Sequence, residues 1–404
     1  MSKTLVVLTI EYPEPLLDKE IPFLSRAFDK VYVIHASHSQ SQDSTPHFGN
    51  VESIQLFPSP DFPKTFKLLL KHFRFVARVY LYTLLQTGNF LIYLKHYRSF
   101  IGYLLIEAER VKPLEQYIIE RKLDQAIFYD YWLVDSTLAL SDLKRRKKIN
   151  TIVARAHGFD LYDERQFEGR VPFVEYRTDS MDKVFAISEH GFSYLKSRLR
   201  PTTARKIDLS YLGITSRFIT EPKKNEPNLF TIVSCSSLIP LKRVDRIIRI
   251  LKLMELKINW IHFGDGPQRE SLEKDCLELP ENIRVSFYGN VDNSKVLEFY
   301  STNFVDLFIS MSESEGLPVS MMEAISFGIP ILATSVNGVP EIVTVKTGEL
   351  VDKGESVKEI SNLMYQMLSG DNFDRDVIRS FFQSHFDANK NYESFVNKLI
   401  EIKE

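Results

Sequence analysis

Short runs of apolar, β-rich residues recur along the chain with helix-like intervals between them. The first series is TLVVLTI at 4–10, KVYVIHA at 30–36, AIFYDY at 126–131, TIVARAH at 151–157 and KVFAIS at 183–188. Their apolarity is continuous rather than alternating, which suits parallel strands covered on both faces. After a break comes a second series: FTIVSCSS at 230–237, NWIHFG at 259–264, RVSFYG at 284–289, VDLFISMS at 305–312 and IPILATS at 329–335. Helical segments such as Val244–Leu256 and Gln268–Leu277 separate these runs. Strands alternating with helices twice over predict two doubly wound α/β domains. Between the series, ITEPKKNEPNLF is rich in Pro, Lys and Asn and reads as an exposed connector around 219–228, which puts the boundary between residues 1–218 and 219–385. Ligands of such open sheets bind beyond the carboxyl ends of the strands, so the default site is the cleft between the two domains.

Composition narrows the class. Of the 404 residues, 44% are hydrophobic and 26% charged, with a formal net charge of −2. That balance argues against disorder and against a chain whose overall charge holds nucleic acid; a polyanion must be met locally. Cys235 and Cys276 are too few for a disulfide framework and have no His or Cys neighbours at zinc-ligand spacing, which fits a reducing cytosol. The apolar run Leu5–Ile10 is shorter than a signal-peptide core. The uncharged stretch between Arg78 and Lys95 is interrupted at Gln86–Asn89, whereas a membrane span needs about 20 predominantly apolar residues.

The chemistry concentrates in SESEGLPVSMMEAISFGIPILAT, Ser312–Thr334. Glu315 follows a strand, and Glu323 stands eight positions later in a helix that Gly328 and Pro330 terminate. A strand, a short loop with Gly316 and Pro318, and a helix start aim backbone N–H groups and a positive helix end at one spot, which attracts phosphate. Two carboxylates beside it suit the hydroxyl-rich groups attached on either side of a diphosphate. Ser320-x-x-Glu323 also matches a capping box, in which Glu323 only satisfies an orphan backbone donor, and from these residues alone both readings stand.

The whole phrase closely resembles the E-x7-E signature of the retaining glycosyltransferases of family four, which have the GT-B fold of two Rossmann-like domains facing across a cleft. LIPLKRVDRII at 238–248 is similar to the family's phosphate-binding segment, which implies Lys242 on the donor diphosphate with Arg243 beside it. Many members carry Arg five residues before that Lys, where this chain has Ser237. HFGDGPQRE at 262–270 and FYGNV at 287–291 resemble segments that face the nucleotide, which implies main-chain contacts at Gly266, Gly289 and Val291. Gly264-x-Gly266 also imitates a dinucleotide fingerprint, but Arg269 replaces its third glycine. RAHGFDLYDE at 155–164 resembles the H-G-x-D-x-Y segment, which implies that His157 contacts the transferred sugar and that Asp160 orders the following loop. The first loop, EYPEPLLDKEIPF, lacks the glycines common in relatives, although Glu20 resembles an acidic residue of a subset that lies near sugar or acceptor.

The resemblance implies further that Glu315, with Gly316 and Leu317, holds the sugar hydroxyls, that Glu323 binds the donor ribose, and that the leaving phosphate itself assists the incoming hydroxyl. It implies no metal and no other cofactor; Asp374-Arg375-Asp376 is formally a D-x-D motif, but no strand adjoins it. Residues 386–404 are expected to form a last helix that crosses back to the first domain.

Between Phe62 and Ile106 there is no Asp or Glu, but there are Lys64, Lys67, Lys71, Arg74, Arg78, Lys95 and Arg98. The spacing 67, 71, 74, 78 predicts one amphipathic basic helix with Phe66, Leu69, Phe73, Val76 and Tyr80 on its other stripe. Residues 64–98 then suit an anionic membrane surface, while an ordinary helix with a core side and a wet side suits the same pattern. Lys144–Lys148 adds a second basic cluster or a solvated turn. RNA is the weaker partner, since the stripe has no aromatic platform. The expected protein is a cytoplasmic transferase, peripheral on the inner face of the plasma membrane, that passes sugar from a nucleotide-sugar to a glycan or lipid-linked acceptor in cell-surface polysaccharide biosynthesis. The alternatives are a GT-B sugar-nucleotide epimerase and a non-catalytic membrane-docked scaffold.

Overall fold

The structure, a computed structural model, describes residues 3–38, 48–57, 66–86, 90–166, 168–224, 226–370 and 372–402. The chain divides into two compact units: Met1–Tyr211 with Tyr392–Glu404, and Leu212–Asn391.

Unit one is built on seven strands: β1 Thr4–Tyr12, β2 Lys30–His38, β3 Val51–Gln55, β4 Ile127–Asp130, β5 Thr151–Ala156, β6 Lys183–Ala186 and β7 Ile207–Leu209. All pair in parallel in the order β3-β2-β1-β4-β5-β6-β7. Unit two repeats the plan with β8 Leu229–Cys235, β9 Lys257–Phe263, β10 Ile283–Gly289, β11 Leu307–Ser310, β12 Ile331–Thr334 and β13 Gly348–Val351, in the parallel order β10-β9-β8-β11-β12-β13. Every expected apolar run is a strand. Three strands escape the pattern: β3, β7 and β13 lie at sheet edges, where VESIQ, IDL and GELV mix polar and apolar positions.

Each sheet begins in its middle and winds outward in both directions. The connections leaving β1 and β4, and those leaving β8 and β11, therefore diverge and open a crevice at the carboxyl ends of these neighbouring strands. In unit one the core includes Leu8, Ile34, Phe100, Leu104, Phe128 and Ile152; in unit two it includes Ile232, Ile247, Trp260, Ile309 and Leu332.

The helix Ala388–Glu401 lies mostly in unit one and covers a buried charge there. Arg155 on β5 and Glu20 in the helix Pro15–Ala27 are both fully buried, with Arg155 Nη1 3.6 Å from Glu20 Oε2. The guanidinium also sits 4.0 Å from the centre of the Phe395 ring. Coulomb attraction and a cation–π contact thus offset the desolvation of Arg155. Glu20 is spent on this pair inside the unit, away from the surface where a substrate would meet it.

The single basic helix is corrected by the structure. Lys64 lies outside the described residues, and the rest of the segment forms separate helices, Phe66–Lys71, Phe73–Gln86, Phe90–Lys95 and Tyr97–Arg121, with breaks at His72 and His96 among the described residues. Phe75, Val76 and Val79 face the core, whereas Phe73, expected on the inner stripe, is 61% exposed. Lys71 pairs with Glu109 at 2.7 Å and Arg78 with Asp142 at 2.6 Å, so charges from outside the segment neutralise half of the expected stripe. In the second cluster Lys144, Arg145, Arg146 and Lys148 all have carboxylate partners, which makes it a structural turn. Among the described residues no helix is long and apolar enough to cross a membrane.

Truncating Glu20 leaves a buried guanidinium without its counter-charge. Glu20→Ala is expected to destabilise unit one by about 3–5 kcal/mol, measured by urea denaturation; a loss under about 1 kcal/mol would show that the pair is not what fixes this core.

Candidate functional site

In unit two the crevice is made by the turns after β8 and β11. The chain leaves β8, makes a short 3-10 turn at Pro240–Lys242 and enters the helix Val244–Leu251 through Arg243, which is left-handed at φ 49° and ψ 42°. Left-handed backbone at a non-glycine residue is costly and tends to occur at functional sites. The turn after β11 runs through Glu313, Glu315 and Gly316 into the helix Val319–Ser326. A main-chain bond from Glu313 N–H to the Leu241 carbonyl, 2.9 Å, pins the two turns together.

That pinning brings opposite charges into contact. Lys242 Nζ lies 2.5 Å from Glu315 Oε1, with the two side chains only 17% and 10% exposed. Arg243 Nη1 lies 2.6 Å from Glu313 Oε1, and its Nε 3.2 Å from Asp245 Oδ1. Glu323, 3% exposed, accepts a hydrogen bond of 2.9 Å from Asn293 Nδ2. The capping box does not form: Pro318 caps Val319–Ser326 and no side chain accepts there. Gly316 and Leu317 are buried beside Glu315, and Ser237 is exposed on the β8 turn.

A third turn supports the first. His262 on β9 is buried; its Nδ1 is 2.8 Å from Ser234 Oγ and its Nε2 3.0 Å from the Ser236 carbonyl. Trp260 Nε1 donates to Ser234 Oγ, so that hydroxyl donates to Nδ1 and the imidazole donates through Nε2. Burial pulls its pKa down to about 4. A Cβ on Gly264, at φ 128°, would stand 1.9 Å from the Ser236 carbonyl oxygen, and one on Gly266 2.6 Å from that of Leu238. Close backbone packing under the β8 turn therefore requires both glycines. Gly289, at φ 70°, accepts from Gly264 N–H at 2.9 Å, and Val291 follows it half-buried.

Unit one presents a different group. His157 follows β5, is 3% exposed, and neither ring nitrogen has a hydrogen-bond partner among the described residues. Tyr131 and Trp132 pack on it with ring centres 4.8 and 4.2 Å away, and burial lowers its pKa. Asp160 accepts from the N–H groups of His157 at 2.7 Å and Leu133 at 2.8 Å, tying the turn after β5 to the turn after β4. In the glycine-free first loop, Glu14 caps Pro15–Ala27 by accepting from Leu16 and Leu17 N–H at 3.0 and 2.6 Å. Burial raises its pKa to about 7.

The structure thus groups Lys242, Arg243, Glu315, Gly316 and Leu317 around one crevice in unit two, with Glu323 in the adjoining helix, while Glu20 is fully buried within unit one. Sequence reasoning missed Glu313, Asn293, His262 and Glu14. The doubled acid in S-E-S-E was a signal for Glu313; Asn293 is 30 positions from its partner and gave none. Asp374, from the D-x-D, caps Arg375–His385 by accepting from Asp376 and Val377 N–H. Among the described residues, no group of three or more His, Cys, Asp or Glu side chains could hold a metal ion.

Residues 216–383 match the family model "Glycosyl transferases group 1". Sulfoquinovosyl transferase SQD2 of Arabidopsis thaliana is 35% identical over 108 residues, 26% of this chain and 20% of that protein. N-acetyl-alpha-D-glucosaminyl L-malate synthase of Bacillus anthracis is 24% identical over 237 residues, 56% of this chain and 60% of that one. The chain thus spans no more than 60% of the length of these two relatives. Among solved structures, the lipopolysaccharide outer core galactosyltransferase WaaB superposes with a TM-score of 0.69 at 16% identity, covering 100% of both chains. The fold is therefore α/β of the GT-B type, and unit two carries a glycosyl transferases group 1 domain.

Because His262 is neutral in the fold and ordinary when unfolded, its contribution is complete above about pH 6.5 and is lost as pH falls toward about 4. The loss is worth about 3 kcal/mol. The stability gap between the parent and His262→Gln should narrow by about 2.5 kcal/mol between pH 7.5 and 4.5 in urea titrations; a constant gap would show that this imidazole does not titrate as described.

Proposed function

We propose that this chain is a retaining glycosyltransferase of family four that moves a sugar from a nucleotide-sugar to a glycan or lipid-linked acceptor in cell-surface polysaccharide biosynthesis. The observation that carries the reading is the Lys242–Glu315 pair at the β8/β11 crevice, inside the matched region, with the buried Glu323 carboxylate in the same helix–loop segment. A diphosphate needs a cation on its oxygens as its bond to the sugar weakens, and the hydroxyls of ribose and sugar need acceptors on either side of it.

On this reading Lys242 and Arg243 take the diphosphate, Glu315 with the amides of Gly316 and Leu317 takes the sugar hydroxyls, and Glu323, oriented by Asn293, takes the ribose. The bond from the anomeric carbon to the phosphate oxygen breaks while the acceptor oxygen bonds on the same face. The acceptor's proton passes to the departing phosphate. His157, whose Nδ1 lies 3.7 Å from Asp160 Oδ2 and whose Nε2 makes no hydrogen bond among the described residues, supplies a further contact to the sugar. The HepE protein of Anabaena, a structural neighbour at 15% identity and TM-score 0.66, is seen in complex with UDP and glucose, which supports a nucleotide-sugar donor.

Lys242→Ala is expected to weaken nucleotide-sugar binding at least tenfold by calorimetry, and Glu315→Ala to lower transfer at least a hundredfold in a variant that still folds. Parental values for both variants would overturn the assignment.

An anionic membrane surface is the second partner in this reading. Leu70, Phe73, Leu81, Leu85, Leu91 and Leu94 point outward, from 46% to 81% exposed, among exposed Lys67, Arg74, Lys95 and Arg98. Apolar side chains beside cations suit insertion at an anionic headgroup layer. Two such side chains contribute about 1.5–3 kcal/mol each when buried. Phe73→Ser with Leu85→Ser should therefore cut sedimentation with phosphatidylglycerol vesicles at least tenfold; equal sedimentation would exclude this face.

A further inference from the structure

Both cations at the unit-two crevice are paired with carboxylates of one turn, but the pairs differ. Lys242–Glu315 joins two groups that the proposed reaction uses, and it is largely screened from water. Arg243–Glu313 joins a group with an assigned role to one with none, and its side chains are 31% and 49% exposed. The Glu313 N–H bond to Leu241 fixes this second pair through the backbone, independently of either side chain. Asp245 adds contacts of 3.2 and 3.5 Å to the Arg243 Nε and Nη2. With Ser237 in place of a further cation, few positive charges are left for a donor, and both Lys242 and Arg243 are already engaged.

We propose that Glu313 competes with the donor diphosphate for the Arg243 guanidinium and so sets how tightly the donor is held. The inference rests on the reading of this crevice as the donor site. An exposed ion pair is worth only about 0–1 kcal/mol, so it yields to a ligand with stronger charge. A diphosphate offers a fork-matched anion of higher charge than one carboxylate. Arg243 then exchanges partners when the donor arrives, and the cost of releasing Glu313 is subtracted from donor affinity. Arg243 holds left-handed backbone at φ 49°, where a glycine would relieve the strain and remove the guanidinium that makes the exchange.

The test is a double-mutant cycle with UDP and GDP as probes in isothermal calorimetry, using the full chain. Glu313→Gln, which keeps the backbone bond to Leu241, should tighten binding of whichever probe binds by about fivefold, the scale of a released surface pair. In an Arg243→Gly background the same substitution should change affinity less than twofold. Unchanged affinity in Glu313→Gln, or tightening that persists without Arg243, would overturn the proposal. Lys242→Ala separates the two levels: if it binds as the parent does, the donor-site reading fails first; if it weakens binding while Glu313→Gln has no effect, only the competition by Glu313 fails.

Discussion

The constraint on which the site depends is the order of strands in unit two. Because β8 and β11 are neighbours whose onward connections run to opposite sides, the turns that leave them have no crossing chain above them. Those turns are free to meet each other. The main-chain bond from Glu313 to Leu241 and the Lys242–Glu315 contact are how they do so. Moving a carboxylate one position along the β11 turn would break the match, since Glu313 and Glu315 project to different cations while Ser314 binds Asn337.

The same constraint explains why the site is electrostatically quiet without ligand. Each cation has an internal counter-charge, Glu323 has Asn293, and the His262 nitrogens are taken by Ser234 and Ser236. Binding at such a site exchanges one set of partners for another, so a pair's burial governs the outcome more than its distance does. Lys242–Glu315 and Arg243–Glu313 are almost equally short, yet the first is the more desolvated and the harder to replace.

Much of this was legible in the sequence. Ten apolar runs became ten strands; nine lie inside the sheets, where cover on both faces favours near-continuous apolarity, and β10 lies at an edge. Glu315 and Lys242 could be singled out because their segments have fixed spacing. What stayed hidden depends on distant partners. The edge strands β3, β7 and β13 borrow their place from a neighbour rather than from their own apolarity. The helical stripe of 67, 71, 74 and 78 ignored Glu109 and Asp142, which lie 38 and 64 residues away from the groups they neutralise. Glu20 matched an acidic residue by position in a motif, but it is paired with a buried Arg155 whose other face is covered by Phe395, on a helix more than 360 residues later.

The two units also show that one topology does not dictate one ligand. In each, the first strand leads through a turn into a helix whose amides face the carboxyl end of the sheet, a place that favours an anion. In unit one Glu14 already fills that place, accepting from two amides with its own carboxylate, and an incoming phosphate would meet a like charge. Burial keeps part of that carboxyl protonated near neutrality, which softens the repulsion without vacating the amides. In unit two the corresponding cap is Arg243, preceded by Lys242, and the same backbone arrangement is joined to two positive side chains. On the proposed reading, phosphate belongs to unit two for this reason: the loops invert the charge at equivalent points of two nearly identical frames. The glycine-free first loop of unit one thus carries its own anion at the place where the unit-two loop carries cations.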